Sequence, residues 1–88
     1  MEYYVYVLLC TDINNESQFY IGYCQDLKKR IGEHKNGEVK TTKKFSTLKL
    51  IYYEASLNKT DARKRELQLK TGFGRGYLKR RLEVYLRP

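Results

Sequence analysis

The sequence predicts an α+β fold in which a small sheet of three strands is flanked by about three helices. Two observations predict this class. Three runs of β-branched, aromatic and aliphatic residues lack a helical period, and stretches with a helical period follow the second and third runs. At 88 residues the chain has room for one modest hydrophobic core, so we expect residues 1–88 to form a single domain.

The first two strands are predicted to form a hairpin. The runs Tyr3–Cys10 and Gln18–Tyr23 are separated by a polar, turn-forming stretch, and strands joined by a short loop pair in antiparallel fashion. This pairing can make Tyr6 and Tyr20 neighbours. We expect Gly22 to end the second strand and to let another backbone segment approach closely.

The first helix is predicted over Leu27–Lys35, with Asp26 as its N-cap and Gly37 as its left-handed stop. Arg30 and His34 are one turn apart on the stripe that faces the core, so both should lie where the helix meets the sheet. A strand beside these side chains and a helix beneath them would form a cleft.

The remaining elements follow in the same way. A third strand is predicted over Leu48–Glu54, which is rich in β formers. A second helix begins at Asn58 or Thr60, where the residues resemble a capping box, and runs to Gly72. The helical period resumes over Gly74–Leu86, whose outward face is strongly basic.

The second helix carries one unexpected carboxylate. Glu66 shares a face with Ala62 and Leu69, although that face should pack inward. Because burying an isolated charge is too costly, Glu66 must be paired, bind a cation or lie at the edge of a cleft. Pairing with Arg63, Lys70 or Arg30 is as well supported by the spacing as a functional role.

The charge balance indicates the class of partner. The chain has 18 Lys and Arg against 10 Asp and Glu, a formal net charge of +8, which favours nucleic acid. Scattered lysines can also be only a solvated surface, and the loop over residues 38–47 fits either role. The candidate phosphate-binding residues are Lys28, Lys29, Lys40, Lys43, Lys44, Arg75, Lys79 and Arg80. Tyr23 or Phe73 could stack on an unpaired base.

We expect a cytoplasmic monomer with no membrane association. The first ten residues lack a basic n-region, are too short to span a bilayer, and are followed by polar residues without a cleavage site. Cys10 and Cys24 form no metal-ligand pattern and are typical of a reduced cytoplasmic protein. A hydrophobic content of 41% excludes a disordered chain.

The order of the motifs is similar to a known family. These motifs are Tyr4-Val5-Tyr6, Tyr20-Ile21-Gly22, Arg30, His34 and Glu66. Over nearly its whole length the chain resembles the GIY-YIG nucleases, in particular small stand-alone bacterial members related to the catalytic module of structure-specific endonucleases. The resemblance implies a three-stranded antiparallel sheet with packed helices, and a metal-dependent endonuclease that acts on DNA in repair or recombination and leaves 5′-phosphate and 3′-hydroxyl ends.

The resemblance also implies a catalytic set. The family's residues carry over onto Tyr6, Tyr20, Arg30, His34 and Glu66. Glu66 would bind one Mg²⁺ or Mn²⁺, and Arg30 would bind the non-bridging phosphate oxygens. Tyr6 or His34 would be the general base, and we expect Arg30 and the metal ion to favour the phenolate of Tyr6.

Two positions depart from the family pattern. Tyr4 stands where the family name has glycine, and this leaves Tyr6 in place. The last helix lacks the asparagine or other polar residue that many relatives place there, so turnover could require help from another protein. The sequence therefore leaves two alternatives to the nuclease: a nucleic-acid-binding module without activity, and a catalytic subunit that is active only with a protein partner. As substrate we expect branched, nicked or single-stranded DNA, because no element suggests base-sequence readout.

Overall fold

The computed structural model describes residues 1–88, and its elements are those of an α+β fold. In chain order they are β1 (Tyr3–Thr11), β2 (Ser17–Cys24), α1 (Leu27–Lys35), β3 (Thr47–Ser56), α2 (Lys59–Leu69), α3 (Gly72–Arg81) and α4 (Glu83–Leu86). The predicted class is confirmed, with a fourth helix of a single turn in addition. None of the helices combines the length and the apolar character that a membrane span requires.

The sheet is antiparallel throughout and has the strand order β2-β1-β3. Tyr6 of β1 lies opposite Gly22 of β2, and Leu8 lies opposite Tyr20. Tyr6 and Tyr20 are therefore diagonal neighbours on one face of the sheet. The third strand is longer than predicted because β1 offers partners along its whole length, from Thr47 to Ser56.

The sheet separates two hydrophobic clusters, because successive side chains of a strand point to opposite faces. The smaller cluster holds Tyr6, Leu8 and Cys10 of β1, with Leu27 and Ile31 of α1 packed against them. The larger cluster covers the other face. Its buried members are Val5, Val7, Ile21, Ile51, Ala62, Leu69 and Leu78. Helix α1 therefore lies on one face of the sheet, and helices α2 and α3 lie on the other.

Both predicted helix starts are confirmed. The Asp26 side chain accepts a hydrogen bond from the Lys29 N–H at 3.0 Å, and the Asn58 side chain accepts one from the Asp61 N–H at 3.0 Å. Gly37 has a φ of 73°, as expected for the left-handed residue after a helix.

The prediction for Gly22 is wrong in its detail. β2 continues to Cys24, so Gly22 lies inside the strand and does not end it. A side chain approaches it closely, and not a backbone segment: a Cβ atom at Gly22 would lie 2.3 Å from both Cζ and Oη of Tyr6. The missing side chain of Gly22 is thus the space that the Tyr6 ring occupies.

The end of the chain also differs from the prediction. Helix α2 ends at Leu69, before Gly72, which begins α3. A Cβ atom at Gly74 would lie 1.9 Å from the Leu69 carbonyl oxygen, so glycine there allows α3 to start directly against the end of α2. The predicted last helix is also interrupted at Leu82, whose φ of −109° and ψ of 24° separate α3 from α4.

Candidate active site

The candidate site is built around the hydroxyl group of Tyr6, which is fully buried in the small cluster. Its Oη lies 2.8 Å from Nε2 of His34 on α1. The guanidinium of Arg30, one turn earlier on α1, donates from Nε to the same oxygen at 3.2 Å. The central strand and the first helix therefore bring a phenol, an imidazole and a guanidinium into direct contact, as the predicted stripe on α1 requires.

The other ring nitrogen of His34 has a partner that the sequence did not indicate. Nδ1 of His34 lies 2.8 Å from Oγ1 of Thr42, and both side chains are buried. Thr42 in turn donates a long hydrogen bond of 3.5 Å to the Val39 carbonyl oxygen. Residues 38–47 are therefore not simply an exposed loop, because Val39 and Thr42 turn inward and close the pocket beneath His34.

The partners at both ends assign the protons of this chain of hydrogen bonds. The tautomer with its proton on Nδ1 gives every polar hydrogen a partner: His34 donates to Thr42, Thr42 donates to Val39, and Tyr6 donates to Nε2. With the proton on Nε2, the Tyr6 hydroxyl, which already accepts from Arg30, would have no acceptor for its own hydrogen. His34 is thus a neutral imidazole that is positioned to take the phenolic proton.

The pKa directions agree with this assignment. Burial lowers the pKa of His34 below its usual value, and the nearby Arg30 charge lowers it further, so the imidazole is neutral at pH 7. Burial raises the pKa of Tyr6 to about 12, although the hydrogen bond from Arg30 acts in the opposite direction. Arg30 therefore favours the phenolate as we expected, but desolvation outweighs it and Tyr6 is protonated in the free protein.

Tyr20 completes the cluster from the edge strand. Its ring lies 5.1 Å from the His34 ring and 6.3 Å from the Tyr6 ring, measured between centroids. Arg30 keeps a donor for an outside ligand, because Nε binds Tyr6, Nη1 binds Glu33 at 3.1 Å and Nη2 binds no protein atom. Half-buried Tyr20 and Arg30 are thus the parts of the cluster that reach the surface.

Glu66 makes no hydrogen bond or ion pair with any of these four residues. It belongs to α2, whose Ala62 and Leu69 pack in the larger cluster on the other face of the sheet. Glu66 is 8% exposed, and its carboxylate is held by Lys70 at 3.1 Å and by Arg63 at 3.7 Å. The pairing considered from the sequence is therefore present with two of the three candidate cations.

Arg63, which binds Glu66, also contacts the edge strand β2. The Arg63 guanidinium lies 4.9 Å from the centre of the Tyr23 ring. Tyr23 follows Gly22 in the sequence, and the Tyr6 ring lies over Gly22. A cleft of about 630 Å³ runs along the same edge and is lined by both Tyr20 and Lys70. Tyr20 and the lysine that binds Glu66 thus line the same cleft.

The eight candidate phosphate-binding residues are all exposed, and they fall into separate groups. Lys28 and Lys29 lie on α1, and Lys40, Lys43 and Lys44 lie in the turns between α1 and β3. Arg75, Lys79 and Arg80 lie on α3. Arg75 and Lys79 line the cleft along β2, whereas Lys43 shares a cavity of about 300 Å³ with His34 and Thr42.

Sequence reasoning missed Thr42 and Lys70 as parts of the site. Thr42 lies in a stretch with no period, so nothing in the sequence distinguished it from exposed Thr41 beside it. The sequence indicates Lys70 only as a partner that would neutralise Glu66. Its place in the cleft depends on how α2 crosses the sheet, which no local pattern specifies.

We expect replacement of Thr42 by Val to change the tautomer of His34. Val keeps the volume but removes the acceptor, leaving the buried Nδ1–H without a partner, so the Nε2–H form should gain population. Nitrogen-15 shifts of the ring report this directly, because the chain contains 1 histidine. Replacement of Thr41, which is exposed, by Val is the matched control and should leave the shifts unchanged. Equal spectra for both variants would contradict the assigned tautomer.

The fold and the site together define a class of protein. A small, basic α+β domain has a Tyr-Arg-His cluster beside an open cleft, with tyrosines supplied by the first and second strands. The sequence pattern described as the GIY-YIG catalytic domain matches residues 2–83, and the chain therefore belongs to the GIY-YIG nuclease family. GIY-YIG nucleases act on DNA.

The relatives are small stand-alone members of this family. The chain is 38% identical over 71 residues to a UPF0213 protein of Staphylococcus saprophyticus, and the matched region covers 80% of this chain and 82% of the relative. It is 40% identical over 68 residues to a UPF0213 protein of Clostridium perfringens, or 76% and 69% of the two chains. The solution NMR structure of a UPF0213 protein from Bacillus halodurans is similar with a TM-score of 0.52 at 28% identity, over 89% of this chain and 82% of that one.

Proposed function

We propose that this protein is a metal-dependent endonuclease that hydrolyses phosphodiester bonds in branched, nicked or single-stranded DNA during repair or recombination. The observation that supports it most is the Tyr6 hydroxyl, which is held between a neutral His34 acceptor at 2.8 Å and an Arg30 donor at 3.2 Å. We propose that the domain acts as a cytoplasmic monomer, and both cysteines are free thiols as such a location requires.

The cluster supports a definite route for protons. As the attacking water, which Tyr20 would orient, loses a proton to the Tyr6 oxygen, Tyr6 passes its own proton to Nε2 of His34. Arg30 stabilises the negative charge that develops on the same oxygen during this transfer. Arg30 can also offer Nη2 to a non-bridging oxygen, so it stabilises the phosphate charge that develops during the attack. Tyr6 and His34, which the sequence left as alternative bases, become consecutive members of one relay.

Glu66 is the residue that we assign to a divalent ion. An oxygen donor of this kind fits Mg²⁺ or Mn²⁺, which use one or two carboxylates and take the remaining ligands from water and substrate phosphate. When bound, such an ion lowers the pKa of a coordinated water and neutralises charge on the phosphate. Lys70 and Arg63 hold the free carboxylate, so we expect weak binding of metal before the substrate is present.

The function is tested by incubating the protein with branched, single-stranded and duplex DNA in Mg²⁺, Mn²⁺ or EDTA, beside Arg30→Ala and Glu66→Ala. We expect cutting that requires a metal ion and that falls by about 10²-fold to 10³-fold in each variant, since each removes one electrostatic stabiliser of the transition state. Gel analysis of labelled strands gives the rate, and ligation of the products identifies the ends.

A matched pair of controls is available on α4. Glu83 and Arg87 form an exposed ion pair, so Glu83→Ala and Arg87→Ala remove the same charges and should cut at the rate of the original protein. Binding that survives Arg30→Ala and Glu66→Ala without any product from the unaltered chain would instead support a binding module. Cutting that begins only when a second protein is added would support a catalytic subunit.

A further inference from the structure

The cleft along β2 has a chemical character that neither the cluster nor Glu66 explains. Six of its 11 lining residues are hydrophobic, and none is acidic. Lys70, Arg75 and Lys79 supply its charge, while Phe19 of β2 and Leu86 of α4 contribute to its apolar floor. A cationic rim above an apolar floor suits a ligand that is both anionic and flat.

The cleft also lies against an edge of the sheet that has no partner. β2 pairs only with β1, so one side of its backbone is free to bind another molecule. Tyr20 lines the cleft, and its ring lies 5.1 Å from the His34 ring. A ligand in the cleft would therefore reach the candidate active site by passing Tyr20 around the edge of β2.

We propose that this cleft binds an unpaired polynucleotide strand next to the bond that is cut. Phosphates would lie against Arg75 and Lys79, which are one turn apart on α3, and a base would rest on the floor beside Phe19. The inference rests on the proposed function and adds the place and the structure of the substrate. A duplex presents its bases stacked inside and cannot offer one to this floor.

Lys70 connects the cleft to the carboxylate. Its Nζ lies 3.1 Å from Oε2 of Glu66, and the residue also lines the cleft. A phosphate in the cleft competes with Glu66 for this ammonium group, so occupation by the strand releases an oxygen of Glu66. The strand would thereby prepare the carboxylate for a cation at the moment of binding.

Binding is measured by fluorescence anisotropy in EDTA, so that no cutting occurs. The probes are a thymidine strand and a uridine strand of about 12 nucleotides each, and a duplex of the same length. We expect Lys79→Ala to weaken binding of the unpaired strands about fivefold and Phe19→Leu to weaken it about tenfold, with duplex binding unchanged. Lys64→Ala, which removes the same charge from an exposed position on α2, is the control.

These measurements distinguish binding of an unpaired strand from binding of a duplex or of a second copy of the chain. Equal loss of duplex and strand binding, or no loss in either cleft variant, overturns the proposal. A concentration-dependent dimer in light scattering that Lys79→Ala disrupts also overturns it, because a second copy would then occupy the free edge. If circular dichroism shows that Phe19→Leu does not fold, strand and duplex binding by Lys79→Ala alone tests the proposal. Specific strand binding without any cutting in Mg²⁺ contradicts the nuclease and leaves the cleft assignment intact, and the two strands distinguish DNA from RNA.

Discussion

Replacement of Tyr6 by Phe is expected to reduce the cutting rate by about 10²-fold to 10⁴-fold, which is the range that a positioned proton-transfer group contributes. DNA binding should stay within about twofold. The ring would keep its place in the core, but Nε2 of His34 and Nε of Arg30 would both lose their shared partner. The relay from water to imidazole would then be broken at its first member. Single-turnover rates on a branched substrate measure the effect.

Tyr53→Phe is the matched control for this change. Tyr53 lies opposite Tyr6 on β3 and is 54% exposed, so its hydroxyl can be removed without disturbing the relay. The Tyr6→Phe protein should lose about 1–3 kcal/mol of unfolding free energy, because the buried partners of the hydroxyl on His34 and Arg30 are left without a hydrogen bond. A variant that folds and cuts at the original rate would exclude Tyr6 from the chemistry.

Replacement of Gly22 by Ala is expected to be as damaging as loss of the hydroxyl itself. The new Cβ would lie 2.3 Å from Cζ and Oη of Tyr6, a distance at which the ring must move. Because Tyr6 is fully buried and bound on two sides, any movement breaks its contacts with His34 and Arg30. We expect an activity loss of about 10²-fold or more, and overpacking should cost about 1–3 kcal/mol of stability.

Gly32→Ala provides the comparison within the same cluster of elements. No atom lies within 4 Å of a Cβ at Gly32, and the residue is inside helix α1. The substitution should therefore stabilise the protein by roughly 1 kcal/mol, the difference in helix propensity, and leave cutting unchanged. Chemical denaturation and the same single-turnover assay measure both variants. An active, stable Gly22→Ala protein would show that the position of Tyr6 is not critical.

Local patterns were sufficient for most of the fold. The hairpin, both capped helices and the third strand follow from residue type, polar turns and cap residues, all of which act over a few positions. The stripe on α1 likewise predicted that Arg30 and His34 face the sheet, and both contact Tyr6. Local patterns failed between α2 and α3, where Gly74 acts through close packing on Leu69 and not through its own conformation.

The parts of the site that escaped prediction all depend on contacts between distant segments. Thr42 acquires its role only when the turns after α1 fold back under His34. Gly22 matters because of a ring on the neighbouring strand, and the pKa of Tyr6 depends on how deeply that ring is buried. Whether Glu66 contacts the cluster depends on which face of the sheet α2 covers. None of these quantities has a period or a motif.

The residues that would perform the chemistry also attach helix α1 to the sheet. Tyr6 of β1 is the largest fully buried side chain in the molecule, and the hydrogen bond between its hydroxyl and buried His34 connects α1 to the sheet. Heat that loosens this helix should therefore inactivate the protein at the same moment. Efforts to make the protein more heat-resistant should accordingly target Val5 and Leu78 on the other side of the sheet, where repacking leaves the proton relay untouched, and should keep Ile21 and Leu69, which line the cleft.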